Sequence, residues 1–391
     1  MKCELTAISS KVMLIIIPII IVLIPCEGQR EPSLPVSPGS FRQILRTMMV
    51  VPKGRSASYR DVILRFYSSN GTGPSSLPLR ASKLLLTFPE FDQSKPTVVY
   101  AHGYVELTTD KSVQSVVRAY QQSGQYNIIL LDWANLAFGN YIAVGLDIPT
   151  VGKETAAALY RLVKRGLDVA SLHLVGHSMG AHVLAYAARY LAGKGLRIPR
   201  LTGLDPAYPG YYPPLLGQPL SASDAAFVDI IHTDGGGYGT PTRAGHVDFW
   251  PNEGDGKQPG CLSTTLVLTV EALCSHWRSW AYWAESVAGG DFLARKCDSY
   301  DTFLRRRCTD EPLVHMGLRA TPDPSSCHTN ERVRAGLADV LVEPIERYAK
   351  YQPHGADAAR PQPEGPSEEV RVVRLLFSWD CGGDVAEGLF N

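Results

Sequence analysis

Between about residues 60 and 235, short apolar runs rich in β-branched residues alternate with stretches of helical periodicity. This alternation predicts a mostly parallel sheet with helices on both faces. In such sheets the ligand site lies at the carboxyl ends of the strands, so the residues that follow each strand are candidates for function. The predicted strands are 62–67, 97–101, 127–132, 172–175, 200–204 and 227–232. The helical patterns between them include 113–122, 152–165 and 181–192.

A serine lies at the turn between one of these strands and the helix that follows it. Residues 176–180, with the sequence GHSMG, separate the strand at 172–175 from the helix that begins at Ala181. The pattern G-x-S-x-G is common by itself, but between a strand and a helix it predicts a strained turn that exposes the serine oxygen. The amino terminus of the helix adds a positive potential beside that oxygen. Ser178 is therefore the predicted nucleophile, and a plain surface serine is the alternative.

A serine hydroxyl needs an imidazole as base, and the imidazole needs a carboxylate that fixes its tautomer. With the serine at such a turn, the chain order is serine, then aspartate or glutamate, then histidine. Asp205 ends the next predicted strand, in the segment TGLDP, and is the preferred acid. Spacing alone does not choose the base. The remaining candidates for acid and base are Asp224, Asp229, Asp234, Asp248, His232, His246, His276 and His315.

Acyl transfer also needs donors for the negative charge that develops on the substrate oxygen. The strand at 97–101 ends in the segment HGY, and the backbone amide of Tyr104 is one candidate donor. The amide of Met179, directly after the predicted nucleophile, is the other. An ordinary strand-ending turn is the alternative interpretation of residues 102–104.

The first 28 residues carry the pattern of a secretory signal. Two lysines precede an apolar run at 12–25, and small and polar residues follow it. The run is shorter than the roughly 20 residues that span a membrane, so a cleaved signal is predicted at 1–28 and a membrane anchor is the alternative. Secretion also gives meaning to the glycosylation sequon at Asn70.

Six of the eight cysteines lie outside the predicted signal. An even number of cysteines in a secreted chain suggests disulfides, although spacing alone leaves their connectivity open. The pairs that short sequence separation favours are Cys261 with Cys274 and Cys297 with Cys308. Cys327 and Cys381 then remain as a third pair.

The charge balance argues against some classes of partner. The chain carries 38 basic and 38 acidic residues, so it has no overall field that would attract nucleic acid or an anionic membrane. His232, His246 and Asp248 lack the compact spacing of a metal motif such as H-E-x-x-H. We therefore expect no metal, no organic cofactor and no nucleic-acid partner. The sequence does not indicate an oligomeric state.

Eight segments resemble, in the same order, those of the pancreatic-lipase family over about residues 60–318. They are VVYAHGY, NIILLDW, LHLVGHSMGAH, LTGLDPAYPG, FVDIIHTD, AGHVDFWPNEG, QPGC and CSHWRS. The resemblance implies an α/β-hydrolase fold, with a mostly parallel central sheet flanked by helices, and a secreted ester hydrolase that acts on lipids. It also implies the triad Ser178, Asp205 and His276. The amides of Tyr104 and Met179 match the family's oxyanion hole.

Two loops are shorter than in triacylglycerol lipases of that family. Cys261 and Cys274 resemble the disulfide of the family's lid, but only 12 residues lie between them. The glycine-rich loop at 235–244 is also short, and short versions of both loops resemble the phospholipase A1 branch. We therefore expect fatty-acid release from glycerophospholipid. The alternatives are a triacylglycerol or galactolipid lipase, and a non-catalytic lipid-binding or yolk-type homologue.

The lid itself has one apolar face. This face would contact a membrane or a lipid droplet at the interface where the substrate lies, while a helix docked permanently on the core is the alternative. The apolar residues at helical spacing are Leu262, Leu266, Val270 and Leu273.

The resemblance also bears on calcium and on the domain plan. The acidic cluster that binds calcium in some relatives would fall between Asp205 and Asp224, where only Asp224 remains, so no calcium is expected. The carboxyl-terminal β-sandwich of the vertebrate relatives is not expected either. The predicted plan is a signal at 1–28, an extension at 29–58, the hydrolase domain at 59–320 and an irregular tail at 321–391. That tail is partly linker-like, with one further strand expected within 370–379.

Overall fold

The computed structural model describes residues 58–69, 73–261, 270–295, 305, 313–322 and 377–379. The predicted signal, the sequon at Asn70, the lid segment at 262–269 and Cys297, Cys308, Cys327 and Cys381 lie outside these residues. Those assignments and the domain boundaries stay predictions. Among the helices in the described ranges, none has both the length and the apolar character that a membrane crossing requires.

A central sheet organises the described part of the chain. Its strands are β1 (Ile63–Tyr67), β2 (Ser75–Pro78), β3 (Thr97–Ala101), β4 (Asn127–Asp132), β5 (Leu172–His177), β6 (Arg200–Leu204), β7 (Phe227–Ile231), β8 (Val247–Phe249) and, completing the set, β11 (Phe377–Trp379). Their order in the sheet is β11-β8-β7-β6-β5-β3-β4-β1-β2. The six strands from β8 to β4 run parallel to their neighbours. β1 and β2 at one edge and β11 at the other are antiparallel.

The remaining elements are helices and one small sheet. The α-helices are α1 (Lys111–Ser123), α2 (Ala134–Ala137), α3 (Tyr141–Val163), α4 (Met179–Ala192) and α5 (Val270–Val287). The 3₁₀ helices are Tyr59–Asp61, Leu79–Thr87, Val169–Ser171, Ala222–Asp224, Pro251–Gly254 and Gly317–Arg319. β9 (Phe292–Ala294) and β10 (Val314–Met316) form a separate antiparallel pair.

The core lies on both faces of the central sheet, because successive side chains of a strand point to opposite faces. On β3, Val99 and Ala101 belong to the apolar cluster that includes α3 and α4. Val98 and Tyr100 belong to the other cluster, with residues of α1 and α5. Burial on both faces explains why these strands are apolar runs without polar alternation. The mostly parallel sheet flanked by helices is thereby confirmed.

The predicted strands agree well with the observed ones. β3, β4 and β6 have the predicted bounds, whereas β5 continues to His177, β1 begins at Ile63 and β7 ends at Ile231. β2, β8, β9 and β10 were not predicted, because each has only three or four residues and gives little periodicity. The strand expected within 370–379 is present as β11.

The start of α3 differs from the prediction. The pattern predicted a helix from residue 152, but α3 begins at Tyr141, where the side chain of Asn140 caps the amides of Ile142 and Ala143. Gly145, Pro149 and Gly152 in this stretch are poor helix formers. The first and last are used for close packing, since a Cβ on Gly145 would lie 2.6 Å from Leu216 Cδ1, and one on Gly152 2.4 Å from Tyr186 Cβ. Tertiary packing therefore overrides the local propensity.

Candidate active site

Ser178 occupies the turn between β5 and α4 in a strained conformation. Its φ is 53° and its ψ is −123°, a region that costs a non-glycine residue about 1–3 kcal/mol. The turn is possible because its glycines pack against backbone. A Cβ on Gly176 would lie 2.5 Å from Ala181 Cα, and one on Gly180 would lie 2.3 Å from Ala101 O. The amide of Ser178 donates to Leu204 O at 2.9 Å, which ties the turn to the neighbouring strand.

Asp205 and His276 form a buried hydrogen bond. Asp205 follows β6, and its Oδ2 lies 2.7 Å from Nδ1 of His276 on α5. Its Oδ1 accepts hydrogen bonds from the amides of Thr233 at 2.8 Å and Asp234 at 3.3 Å. Both side chains are almost fully buried, so the pair is fixed in one geometry. This bond would hold the tautomer of His276 that leaves Nε2 free to accept a proton.

The His276 ring lies beside the turn that carries Ser178. Its centroid is 4.7 Å from that of His177, the residue before the serine. Burial lowers the pKa of His276, the Asp205 hydrogen bond raises it, and the charge of His177 lowers it, with a net decrease. The structure thus places His276, bonded to Asp205, against the residue that precedes Ser178 at the carboxyl end of β5. A neutral imidazole in this position can act as a base at neutral pH.

Three of the other candidate acids are engaged elsewhere. Each has a cationic or histidine partner within hydrogen-bond distance, so none is available to orient His276. The pairs are Asp224 with Arg189 at 2.6 Å, Asp229 with Arg200 at 2.8 Å and Asp248 with His232 at 2.7 Å.

Asp234 is the exception, because it adjoins Asp205. Asp205, Asp234 and His276 each offer a ligand atom within 4.8 Å of the others, a spacing that a metal ion could bridge. However, Nδ1 of His276 already bonds to Asp205, and Asp234 Oδ2 accepts from the amide of Tyr238 at 2.8 Å. Burial and the neighbouring Asp205 raise the pKa of Asp234 well above its usual range. Because these ligand atoms already have hydrogen-bond partners, we interpret the cluster as hydrogen-bonded and expect no metal there.

The other candidate histidines do not lie against Asp205. His232 is fully buried and bonds through Nε2 to Asp248. Nδ1 of His246 accepts from the amide of Val228 at 2.9 Å. His315 lies on β10, where it pairs with an exposed aspartate. Their contacts are those of structural histidines.

The loop after β3 carries the predicted oxyanion donor Tyr104. The phenol of Tyr104 donates to Gly139 O at 2.5 Å, and the amide of Val105 donates to Ala137 O at 3.0 Å. Val105 has a φ of 52°, an outlier for a β-branched residue. The other predicted donor, Met179, opens α4, so its amide is among those with no acceptor within the helix.

Two residues near the serine were missed by the sequence reasoning. Glu106 and His177 form an ion pair at 3.0 Å, and both are buried. The Glu106 carboxylate also accepts a hydrogen bond from the amide of Gly103. A carboxylate three residues after the glycine of a strand-ending turn was the available signal. It went unnoticed because its partner belongs to another strand.

The sequence of this chain is similar to those of known lipases. A family model described as Lipase matches residues 62–332. The chain belongs to the pancreatic-lipase family. It is 33% identical to human pancreatic lipase-related protein 2 over 272 residues, 64% of this chain and 57% of the relative. It is 31% identical to human pancreatic triacylglycerol lipase over 275 residues, again 64% and 57%. The chain thus spans just over half the length of these relatives.

Two similar solved structures show weaker likeness. A phospholipase/carboxylesterase from Dyadobacter fermentans has a TM-score of 0.28 and 11% identity, and covers 45% of this chain and 74% of its own. The esterase EstE5 has a TM-score of 0.23 and 16% identity, and covers 47% and 54%. At this level the likeness adds nothing to the family assignment.

The disulfide that resembles the lid staple of the pancreatic-lipase family is present. Cys261 and Cys274 are bonded, with their Cα atoms 5.6 Å apart. Cys274 lies in α5, two residues before His276. The next residue, Ser275, donates to Gly256 O at 2.9 Å, which ties the start of α5 to the segment before Cys261. Cys261, which precedes the lid segment, is therefore held against the helix that carries the candidate base.

An arginine of α4 contacts the stretch before Asp224, where some members of the family bind calcium. Arg189 on α4 donates to Asp224 through Nε at 2.6 Å and through Nη2 at 2.7 Å. The same guanidinium donates to the carbonyls of Gln218, at 3.1 Å, and Pro219. Oxygen atoms of this stretch thus converge on a side-chain cation. Asp224 is the one acidic residue of this stretch that could serve as a calcium ligand, and it is paired with Arg189.

Proposed function

We propose that this member of the pancreatic-lipase family is a lipid ester hydrolase in which Ser178, Asp205 and His276 form the catalytic triad. The observation that carries the proposal is the buried 2.7 Å hydrogen bond between Asp205 and His276, next to the strained turn of Ser178. Strain at a non-glycine residue is characteristic of functional sites, where the surrounding structure maintains it.

The chemistry is acyl transfer through a covalent intermediate. Ser178 Oγ attacks the ester carbonyl carbon, its proton moves to Nε2 of His276, and Asp205 stabilises the resulting imidazolium. The amides of Tyr104 and Met179 donate to the oxyanion of the tetrahedral intermediate. The bond to the leaving alcohol breaks as His276 returns the proton to that oxygen. Water then attacks the acyl-serine with His276 as base, which releases the fatty acid and regenerates Ser178.

The substrate we favour is a glycerophospholipid, cleaved in the manner of a phospholipase A1. The short glycine-rich loop at 235–244 supports this choice. It is folded against the acid, since a Cβ on Gly239 would lie 2.2 Å from Asp205 Oδ1. A short loop held in this way cannot also extend as a long apolar wall over the mouth of the site. A polar head group is therefore easier to accommodate.

The protein is expected to act outside the cell, at a lipid surface. The disulfide between Cys261 and Cys274 supports an oxidising compartment, as does the predicted signal. The lid between these cysteines is expected to contact the membrane or lipid droplet with its apolar face. Its tether beside His276 would couple that contact to access to the triad.

A triacylglycerol substrate is the second candidate, because human pancreatic triacylglycerol lipase is among the relatives at 31% identity. The deciding experiment measures fatty-acid release from phosphatidylcholine and from triolein. Ser178→Ala should lower turnover about 10⁶-fold, while Ser223→Ala, a change on an exposed serine, should leave it intact. Release from the sn-1 position of phosphatidylcholine supports the phospholipase. Predominant release from triolein would refute the choice of substrate but not the triad.

A protein without hydrolytic activity would favour a different function. A fluorophosphonate probe reacts only with an activated serine. A folded protein that hydrolyses neither lipid and leaves Ser178 unlabelled would favour a non-catalytic lipid-binding protein. The presence of serine, aspartate and histidine at the three triad positions argues against that outcome.

A further inference from the structure

Two buried ionisable groups beside the nucleophile have no role in the mechanism above. Glu106 Oε2 lies 3.0 Å from His177 Nδ1, and the relative exposures of the two residues are 4% and 1%. Burying an ion pair costs several kcal/mol per ion before the attraction is counted. A pair at this depth, next to reacting atoms, therefore calls for a functional explanation.

Glu106 closes the turn that carries the Tyr104 amide. Its carboxylate accepts the amide hydrogen of Gly103, so the side chain spans the turn from residue 106 back to residue 103. Val105, inside that turn, is held at a φ of 52°. A charge-assisted hydrogen bond is roughly twice as strong as a neutral one, which suits it to maintaining a strained loop. Glu106 thus fixes the backbone on both sides of Tyr104.

A carboxylate in this position needs a counter-charge. A Cβ on Gly103 would lie 3.0 Å from Glu106 Oε2 and 3.0 Å from Ser178 Cβ, so the carboxylate is close to the serine. An unpaired anion there would repel the oxyanion that develops during acyl transfer. His177 supplies the opposite charge. Burial alone would lower the pKa of His177, but the charge and hydrogen bond of Glu106 raise it.

We propose that Glu106 and His177 form a permanent ion pair that positions the Tyr104 amide for the oxyanion and places a positive charge beside His276. Glu106 is a positioning residue, since it acts through the loop and through His177. This inference rests on the proposed ester hydrolysis and adds to it. Both the position of the oxyanion loop and the proton affinity of His276 would then depend on one pair of charges.

The charges of Glu106 and His177 are affected by the ionisable groups around them. Burial would raise the pKa of Glu106, but the charge and hydrogen bond of His177 hold it at about 2. The groups that face His177 are Glu106 from the loop, His102 from the end of β3, Asp205 from the end of β6 and His276 from α5. Because the charge of His177 acts more strongly on His276 than that of Glu106 does, loss of both charges raises the pKa of His276.

The test is the pH dependence of kcat/KM on p-nitrophenyl butyrate, a dissolved ester that does not require a lipid surface. Glu106→Gln keeps an acceptor for Gly103 but removes the charge that raises the pKa of His177, so we expect His177 to lose its proton more readily. We expect kcat/KM to fall about 10-fold on the plateau, since the loop is held less firmly. The acid limb should move to higher pH, because His276 then binds a proton more readily. His177→Gln should also move the limb upward, with a loss of about 100-fold from the unpaired anion.

The double variant Glu106→Gln/His177→Gln leaves no buried charge unpaired, so it is the variant in which folding is least at risk. It should retain the upward shift with a loss of about 10-fold. Asp291→Asn, which removes the carboxylate partner of the exposed His315, is the matched control and should leave the pH dependence of kcat/KM unchanged. A double variant with an unmoved acid limb overturns the proposal. So does one that fails to fold, since the pair would then serve the fold.

These outcomes separate the two proposals. A wild-type protein that hydrolyses no ester overturns both the proposed function and this inference. An active wild type whose double variant keeps the original acid limb overturns only the inference.

Discussion

Asp205 and Asp234 are neighbouring buried carboxyl groups with different surroundings. Asp205 accepts hydrogen bonds from two backbone amides and from His276. Asp234 accepts from Tyr238, and burial together with the neighbouring charge of Asp205 raises its pKa well above the usual range. Their hydrogen bonds decide which of them orients the histidine.

Replacing each carboxyl by an amide separates the two roles. Asp205→Asn should lower kcat about 10⁴-fold, because the amide no longer holds the required tautomer of His276. Asp234→Asn should change kcat less than about tenfold, since an amide oxygen can still accept the hydrogen bond from Tyr238. Steady-state kinetics on a dissolved ester, with thermal denaturation to verify folding, provides the comparison. Equal losses in both variants would contradict the assignment of Asp205 as the acid.

The residues of the site differ in how far the sequence could predict them. Ser178 and Asp205 follow buried strands, and strand ends are visible in a sequence. His276 was one of four histidines until the family resemblance selected it, because its contact with Asp205 spans 71 positions of the chain. Glu106 and His177 are likewise 71 positions apart, and no local pattern joins them. Pairings between distant strands are tertiary information.

At the scale of elements, helix packing explains where prediction failed. The β-branched runs gave the strand bounds, since burial on both faces leaves an unambiguous apolar pattern. The first half of α3 was missed because its glycines and proline oppose helix formation. Those glycines lie where α3 meets α4 and Leu216, so the feature that hides the helix also allows its packing.

Two glycine substitutions test this explanation. Gly152→Ala should destabilise the protein by about 1–3 kcal/mol, because the new methyl group would lie 2.4 Å from Tyr186 Cβ. Gly193→Ala should be neutral or stabilise by about 0.5 kcal/mol, since the site has right-handed helical geometry and its nearest neighbour is 3.5 Å away. Urea denaturation measures both free energies of unfolding. A stabilising Gly152→Ala would show that helix propensity outweighs packing there.

For the molecule as a whole, stability against acid depends on buried neutral histidines. With 38 basic and 38 acidic residues, overall charge repulsion is small near neutral pH. Burial lowers the pKa of His102, His173 and His182. The contacts of His182 favour the neutral ring. Its Nδ1 accepts from the amide of Leu220, while its Nε2 lies 2.9 Å from Ala207 O. A neutral ring satisfies both contacts, and protonation of Nδ1 would break the first.

The pKa of His182 in the folded protein is about 3, whereas an unfolded histidine titrates near 6.5. Its contribution to stability is therefore complete above about pH 6.5 and is lost as the pH falls toward 3, because the unfolded chain takes up the proton first. The free energy of unfolding should fall by up to about 1.4 kcal/mol per pH unit from this residue alone. His182→Gln, whose amide can accept and donate without ionising, should reduce that slope in urea denaturation at successive pH values. About 0.5 M salt should not restore the lost stability, because screening acts on surface charge and not on proton uptake by a buried ring. Full recovery in salt would instead assign acid unfolding to overall charge repulsion.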